Sequence, residues 1–284
     1  MPEFLKRTAP DNELARPVNL PPRPSLLIAL QHEMTKEYPH VGKIAHLLDR
    51  DAAISGNILA IANSAMFNLH WHVETVENAI SLIGLSQCKA MATGLMARRA
   101  MAHGRMMMPR FWDVSEKRSW AMMQVAMKLK IAPPDMAHNF GLFLDMGIPL
   151  MIASFPNYAE TLKIASQMEI DHFTELENAR HQINHAVVGA ILAEHWSIDA
   201  NVVLAIRHHH SFEAMKDDGL PVTVRGLIAA HLIVEKAIQE HRHASPDEWK
   251  AGGAQAREML GLSDADVEEI CAELKNSFLR PHHV

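Results

Sequence analysis

Helical periodicity is the feature that most limits how this 284-residue chain can fold. Apolar residues recur at intervals of three and four along most of it, as at Ile183, Val187, Val188, Ile191 and Leu192. No segment sustains the alternation of apolar and polar side chains that is typical of a half-buried strand. The sequence therefore predicts an all-α protein.

Proline-rich and methionine-rich segments divide the predicted helices into regions. Residues 1–17 have mixed charge, three prolines and no apolar period, which predicts a flexible N-terminal extension. Residues 18–105 predict an N-terminal helical bundle, and residues 106–240 predict a second helical body that begins at a methionine-rich connector. Residues 241–284 predict a C-terminal helical segment.

Capping residues set several of the predicted helix ends. Thr75 is predicted to cap the start of a helix that Gly84 ends in the left-handed conformation. Ser245 is predicted as the N-cap of a later helix, with Glu248 placed to close a capping box. Ser263 is predicted to open the last helix.

Composition excludes several classes of protein. The formal net charge is −6 and no long Lys/Arg run occurs, so nucleic-acid binding is not expected. Cys88 and Cys271 lie far apart in helical patterns and predict small core residues rather than a disulfide or zinc site. The longest apolar run, around residues 140–155, is too short to span a bilayer, and the N-terminus lacks the apolar core of a signal peptide. We therefore expect a soluble, cytoplasmic protein without membrane insertion.

One charge in an apolar stretch needs an explanation. Residues 139–159 are apolar on nearly every side, and their single formal charge is Asp145. Asp135 is predicted to cap the helix that contains it. A buried carboxylate is costly unless a cation, a metal or several donors meet it. Two interpretations stay open: a metal or catalytic carboxylate, and a partly hydrated carboxylate that caps a helix or pairs with an arginine.

Histidine is the compositional outlier, with 19 residues. His181 and His185 are four apart in a helix predicted over residues 181–196, and two such histidines can share a metal. With Asp145 they could hold a divalent cation that activates water for phosphoester hydrolysis. Histidines without any metal role are the alternative. The other histidines of chemical interest are His195, His208, His209, His210 and His231.

No glycine-rich phosphate loop and no serine in a nucleophile elbow occur in the sequence. Nucleoside-triphosphate hydrolysis and serine esterase chemistry are therefore not expected.

Short motifs follow one another in a characteristic order. They are Leu20-Pro21-Pro22-Arg23-Pro24, Ala62-Asn63-Ser64-Ala65, Ala79-Ile80-Ser81-Leu82-Ile83-Gly84, Gly141-Leu142-Phe143-Leu144-Asp145-Met146-Gly147, His185-Ala186-Val187-Val188-Gly189 and Ala205-Ile206-Arg207-His208-His209-His210. Together they resemble the HDOD (HD-related output domain) family of bacterial signalling proteins over about residues 18–215. The resemblance implies an N-terminal helical bundle packed on an HD-like helical body, with residues 139–159 as its central helix.

The resemblance also implies a degenerate metal site. The enzymatic relatives, the HD phosphohydrolases, bind one or two metals through a His, a His-Asp pair and later His and Asp residues. When the motifs are matched in order, the first His falls near Val114 and the His of the pair is Leu144. The following Lys-like position is Ile148, and the late Asp falls near Ala230 or His231. Only Asp145 of that central set is retained.

The resemblance leaves four residues as remnants of a metal site: Asp145, His185, His208 and His209. Because Asp145 has lost its adjacent histidine, we expect no metal, no cofactor and no catalytic residue. The carboxylate of Asp145 is then expected to be held by local hydrogen bonds, by a neighbouring histidine or by Arg207.

The leading hypothesis is a non-catalytic regulatory protein that contacts other signalling proteins. An interaction groove is predicted near Asn63, Ser64, Met106, Met107 and Met108, although Asn63 and Ser64 could equally form a loop that caps a helix. The alternatives are a metal-dependent phosphohydrolase acting on a nucleotide or cyclic dinucleotide, with Asp145, His185 and His208 or His209 as ligands, and a module that binds a nucleotide second messenger without turnover.

Overall fold

The computed structural model describes residues 17–64, 70–101, 108–165 and 173–279. Within these ranges the chain forms α-helices joined by turns, with one 3₁₀-helix at Phe212–Lys216 and no strand. The predicted all-α fold is confirmed.

The chain divides into two compact units, of which Pro21–Arg105 forms one. Its helices are α1 (Ser25–Met34), α2 (Val41–Asp49), α3 (Ala52–Ala62), α4 (Val76–Ile83) and α5 (Leu85–Met101). Each helix turns an apolar face inward, and the core contains Leu27, Leu30, Ile44, Leu48, Ile54 and Ile58, all buried. Packing of these faces holds the short helices together, since isolated helices of this length are marginal in water.

Two predicted helix ends in this unit are confirmed. The Thr75 hydroxyl accepts a hydrogen bond from the backbone N–H of Asn78 at the start of α4. Gly84 ends the same helix, but at φ +94° and ψ +149° it is not in the predicted left-handed helical conformation. Residues other than glycine rarely adopt a positive φ.

The other unit contains Met106–Leu279. Its helices are α6 (Pro109–Leu129), α7 (Pro134–Phe143), α8 (Gly147–Ser154), α9 (Tyr158–Ala165), α10 (Phe173–His181), α11 (His185–His195), α12 (Ala200–His208), α13 (Val222–His241), α14 (Asp247–Leu260) and α15 (Asp264–Phe278). Helix α13 is buried along most of its length and packs against α6, α12, α14 and α15. It is therefore the central helix of this unit.

The apolar stretch at residues 139–159 is not one helix, contrary to the prediction. It contains the end of α7, a turn at residues 144–146, α8, and the start of α9. Asp135 does not cap α7, because the N-cap position is Pro133 and no side chain bonds there. Gly147 begins α8 against α11, where an added Cβ would lie 1.9 Å from the carbonyl oxygen of His185. The break and the glycine together bring Asp145 close to α11.

Taken as a single segment, Pro134–Ser154 is long and apolar enough to cross a membrane, whereas the apolar run at residues 140–155 predicted a stretch too short to do so. Of its most apolar window, 67% is buried inside the protein. A core helix of a soluble protein has the same composition, so this segment is weak support for a membrane span.

Helix boundaries after residue 158 also differ from the prediction. The predicted helix over residues 181–196 begins only at His185, because Gln182 has a φ of +61° and Asn184 caps α11. Helix α14 begins at Asp247 without a side-chain cap, so the box predicted from Ser245 and Glu248 is wrong. The predicted start of the last helix at Ser263 is confirmed, and the structure adds a capping box there, since the side chains of Ser263 and Asp266 each bond the other residue's backbone N–H.

Candidate functional site

Asp145 lies in the turn between α7 and α8, and its side chain is 20% exposed. Its Oδ2 lies 2.8 Å from Nη1 of Arg118, a buried residue of α6 that also pairs with Glu235 through Nε. Burial alone would raise the pKa of Asp145, but Arg118 and the imidazoles of His185 and His209 hold it well below its usual range. The expected arginine partner therefore exists, and it is Arg118, which the sequence analysis did not consider.

Three histidines surround the other oxygen of Asp145. Nε2 of His185 and Nε2 of His209 lie 3.7 and 3.8 Å from Oδ1 of Asp145. Nε2 of His210 lies 3.0 Å from Nε2 of His185. One donor atom from each of the four side chains belongs to a group in which all atoms are within 4.8 Å of one another. The fold thus brings the turn after α7, the start of α11 and the end of α12 to one point.

Hydrogen bonds behind two of the histidines fix which nitrogen faces Asp145. Nδ1 of His185 lies 2.7 Å from Oε2 of Glu177, whose other oxygen accepts a hydrogen bond from the Tyr158 hydroxyl. Nδ1 of His209 lies 2.6 Å from the carbonyl oxygen of Ile206. Because both acceptors require a proton on Nδ1, Nε2 is the nitrogen left to accept a proton or a metal. Metal-binding histidines show this arrangement.

The environment sets the protonation of these histidines. Burial lowers the pKa of His209 to about 3, with His185 adding to the shift. Burial and the neighbouring imidazoles also lower the pKa of His210 well below its usual value. Burial acts in the same direction on His185, but Glu177 and Asp145 oppose it, and the net effect raises the pKa. His209 and His210 are therefore neutral at pH 7, and His185 binds a proton more readily than either of them.

A further group of polar side chains lies behind His210. Nδ1 of His210 is 4.0 Å from Oε1 of Glu248, and Nε2 of His231 is 3.5 Å from Oε2 of the same carboxyl group. Burial raises the pKa of Glu248 well above its usual value, and the nearby charges of Glu235 and Asp145 add to this. Nδ1 of His210, Nδ1 of His231 and Oε2 of Glu248 are buried and have no hydrogen-bond partner in the part of the chain that the structure describes.

The donor set fits a metal ion of a particular kind. Nε2 of His209 is buried without a hydrogen-bond partner among the described residues, and it faces the carboxylate of Asp145. Three imidazole nitrogens and one carboxylate oxygen suit zinc, iron, nickel or copper better than magnesium or calcium. Because Oδ2 of Asp145 is bound to Arg118, this geometry favours one ion rather than two.

A cavity of about 440 Å³ reaches Asp145 from the start of α6. Its lining includes Val114, where the resemblance places the first His of the enzymatic relatives. The other lining residues are Met108, Pro109, Arg110, Phe111, Ser115 and Arg242. The volume is within the range of small-molecule pockets.

The structure separates the histidines that the sequence analysis grouped. His181 ends α10 and its Nε2 lies 2.8 Å from the hydroxyl of Thr161, so the predicted i, i+4 pair with His185 does not form. His195 is exposed at the end of α11. Of the four predicted remnants, Asp145, His185 and His209 converge, and His210 takes the place of His208. The expectation that no metal binds stays a prediction, and the donor set supports the opposite proposal.

The predicted interaction groove also stays a prediction. The Asn63 side chain bonds the backbone of Leu59 and, through both its amide nitrogen and oxygen, the backbone of Val73. These bonds support the alternative in which this segment forms a helix-capping loop. Ser64 and Met108 belong to different compact units, and Met106 and Met107 lie outside the described residues.

Three residues of the site were missed. Arg118 is the one charged residue among the buried residues of α6, one turn after Val114. In the sequence it follows Glu116 and Lys117, so it resembles part of an exposed charged segment and gives no local signal. Glu177 lies in an ordinary polar segment and gives no local signal. Glu248 was assigned to a helix cap, and only the packing of α14 against α13 turns it inward.

Comparison with known proteins gives a consistent assignment. The HDOD domain family model matches residues 20–212. An HDOD domain protein from Geobacter sulfurreducens has a similar structure, with a TM-score of 0.69 and 19% identity over 95% of this chain and 94% of that one. A candidate phosphohydrolase from Shewanella amazonensis SB2B is similar at a TM-score of 0.68 and 19% identity, over 96% and 95% of the two chains.

Among curated proteins, an uncharacterized protein from Treponema pallidum (strain Nichols) is 22% identical over 210 residues. The match covers 72% of this chain but only 40% of that protein, so this chain spans less than half of its relative's length.

Proposed function

This chain belongs to the HDOD family, and from this premise we propose that it is a regulatory protein that binds one divalent transition-metal ion without substrate turnover. In this proposal it acts in the cytoplasm by contacting other signalling proteins. The observation that carries the metal proposal is the buried, unpartnered Nε2 of His209, which faces Asp145 beside the oriented His185.

Four side chains would hold the ion: Asp145 through Oδ1, and His185, His209 and His210 through Nε2. The pKa values of His209 and His210 lie below neutrality, so both offer a lone pair without first losing a proton. When bound, the ion would join three segments that are distant in sequence and stabilise the native state by the free energy of binding.

The environment of Asp145 supports a role without catalysis. Val114 and Leu144 stand where the resemblance places histidines in the enzymes, and neither can bind a metal. Oδ2 of Asp145 is occupied by the guanidinium of Arg118, 2.8 Å away. Two-metal hydrolases use paired ions to stabilise the attacking and leaving oxygens. A site with ligands for one ion lacks that arrangement.

Calorimetric titration of the full chain with Zn²⁺, Ni²⁺ and Fe²⁺ tests the metal proposal. We expect one ion per chain, and the His209→Gln variant should bind at least about 100-fold more weakly because it loses a ligand. His208→Gln is the matched control, since His208 is adjacent in sequence but outside the cluster. Equal binding by wild type and His209→Gln, or no binding by either, would overturn the proposal.

A phosphoester panel tests the absence of turnover. The metal-loaded chain should not hydrolyse mononucleotides, cyclic dinucleotides or simple aryl phosphates. Hydrolysis that disappears in Asp145→Asn would instead assign the chain to the metal-dependent phosphohydrolases.

A second candidate function is binding of a nucleotide second messenger, and the cavity beside Asp145 is the observation that favours it. Its lining combines Arg110 and Arg242 with the aromatic ring of Phe111, groups that can contact phosphate and base. A thermal shift with cyclic dinucleotides that is reduced in Arg242→Gln would support this candidate. Unchanged melting with every nucleotide would remove it.

A further inference from the structure

The three histidines of the cluster differ in what lies behind them. Nδ1 of His185 meets Glu177 at 2.7 Å, and Nδ1 of His209 meets the Ile206 carbonyl at 2.6 Å. Nδ1 of His210 is also buried but has no hydrogen-bond partner in the described structure. A histidine that binds a metal through Nε2 carries its proton on Nδ1, and that N–H is almost always donated to a carboxylate, a carbonyl or water. The third histidine therefore lacks the acceptor that the other two have.

The group placed to supply that acceptor is the carboxyl group of Glu248, whose Oε1 lies 4.0 Å from Nδ1 of His210. A shift of about 1 Å brings these atoms to hydrogen-bonding distance. Oε2 of Glu248 is buried and has no hydrogen-bond partner among the described residues, so no such bond holds that oxygen in place. The side chain lies in the same unit as the cluster, at the first turn of α14.

We propose that Glu248 is the positioning residue of His210, and that it accepts the Nδ1–H of His210 when a metal ion is bound at the cluster. This inference rests on the proposed metal binding. Glu248 does not touch the ion; it fixes the orientation and tautomer of a ligand, as Glu177 does for His185.

Glu248 lies outside the part of the chain that matches the HDOD family. The HDOD family match ends at residue 212, so Glu248 comes from a segment beyond it. Helix α14 packs against α13 and against the 3₁₀-helix that closely follows His210. Metal binding at His210 therefore affects the position of α14, and the C-terminal helices are the part of the fold that changes when the site is occupied.

Three variants test the role of Glu248 by Zn²⁺ affinity. Glu248→Ala should bind Zn²⁺ about 10 to 100-fold more weakly than wild type, the effect typical of losing a residue that orients a metal ligand. Glu248→Gln, whose amide oxygen can still accept, should recover most of this loss. Glu258→Gln, at an exposed position on the same helix, should bind as wild type does. If Glu248→Ala does not fold, Glu248→Leu, which keeps the side-chain volume but has no atom that can accept the Nδ1–H, takes its place in the affinity measurement and in the two measurements below.

Two further measurements separate positioning from general stability. The Co²⁺ absorption spectrum should shift in Glu248→Ala and not in Glu258→Gln, because only the former changes the orientation of a ligand. Added Zn²⁺ should slow amide hydrogen exchange in residues 247–260 of the wild type by a larger factor than in Glu248→Ala.

The outcomes distinguish this inference from the proposed function. If the wild type binds Zn²⁺ through His209 while Glu248→Ala binds as tightly and gives the same Co²⁺ spectrum, the role of Glu248 is wrong and the metal site stands. If the wild type does not bind Zn²⁺, the proposed function itself fails, and this inference fails with it.

Discussion

Each compact unit contains an arginine–aspartate pair, and the two pairs differ in their exposure to water. In Pro21–Arg105, Arg99 is 50% exposed and pairs with Asp51, which also caps α3. In Met106–Leu279, Arg118 is 6% exposed and pairs with Asp145. Exposed pairs contribute little to stability because water and salt screen them, whereas a buried pair is costly to form and costly to break.

The same difference extends to the other buried groups of the two units. The buried polar residues described in Pro21–Arg105 are Glu33, Gln87 and Thr93. Those described in Met106–Leu279 include Arg118, His138, Glu177, His185, His209, His231 and Glu235. Such groups lower stability unless they are paired, so their concentration in one unit marks it as the one that carries chemistry.

The largest expected change in stability comes from replacing one arginine in each unit. Arg118→Gln should lower the free energy of unfolding by about 3 to 5 kcal/mol, because it leaves the carboxylates of Asp145 and Glu235 buried without their cation. Arg99→Gln should lower it by less than about 1 kcal/mol. Urea denaturation of both variants measures the difference, and equal losses would contradict the contrast between the units.

The next largest expected effect is a loss of stability in acid. Burial lowers the pKa of His138 on α7 to about 4, and its Nδ1 has no hydrogen-bond partner in the described residues. The unfolded chain binds a proton on this histidine more readily than the folded chain does. The titration of His138 therefore leaves the free energy of unfolding unchanged above pH 6.5 and lowers it as the pH falls from 6.5 toward 4. The loss from this residue should be about 3 kcal/mol.

Chemical denaturation at a series of pH values checks this effect. His138→Gln should flatten the acid limb of the stability profile by that amount. His46→Gln, at an exposed position in the other unit, is the matched control. An unchanged acid limb in His138→Gln would show that other buried groups cause the loss.

The smallest expected change in stability comes from replacing one glycine in each unit. Gly147→Ala should cost about 1 to 3 kcal/mol, because its Cβ would lie 1.9 Å from the carbonyl oxygen of His185 and must push α11 away. Gly56→Ala, within α3, meets nothing within 4 Å and should stabilise the chain by about 0.5 to 1 kcal/mol. Thermal melting gives both values.

Metal titration extends the glycine comparison to the site. Gly147→Ala should also weaken Zn²⁺ binding, because it displaces His185 from the other ligands, while Gly56→Ala should bind as wild type does. A Gly147→Ala variant that is destabilised yet binds Zn²⁺ normally would show that the packing of α8 does not determine the geometry of the cluster.

Much of the fold followed from local patterns. Helical periodicity gave the all-α class, and the caps at Thr75, Gly84 and Ser263 lie where their residue types predict. These features depend on interactions within a few residues, so a sequence read in short windows contains them. The same reasoning failed between His181 and His185, where the left-handed conformation of Gln182 breaks the periodic pattern.

The sequence by itself determined the helical class, the family and the importance of Asp145. Tertiary structure alone decided that His210 rather than His208 joins Asp145, that Arg118 neutralises it, and that Glu248 turns toward His210. The physical reason is that hydrogen bonds within a helix depend on neighbours a turn away. A site built from several helices and the turns between them depends on how those helices pack, and packing brings together side chains far apart in the chain, such as Arg118 and Glu235.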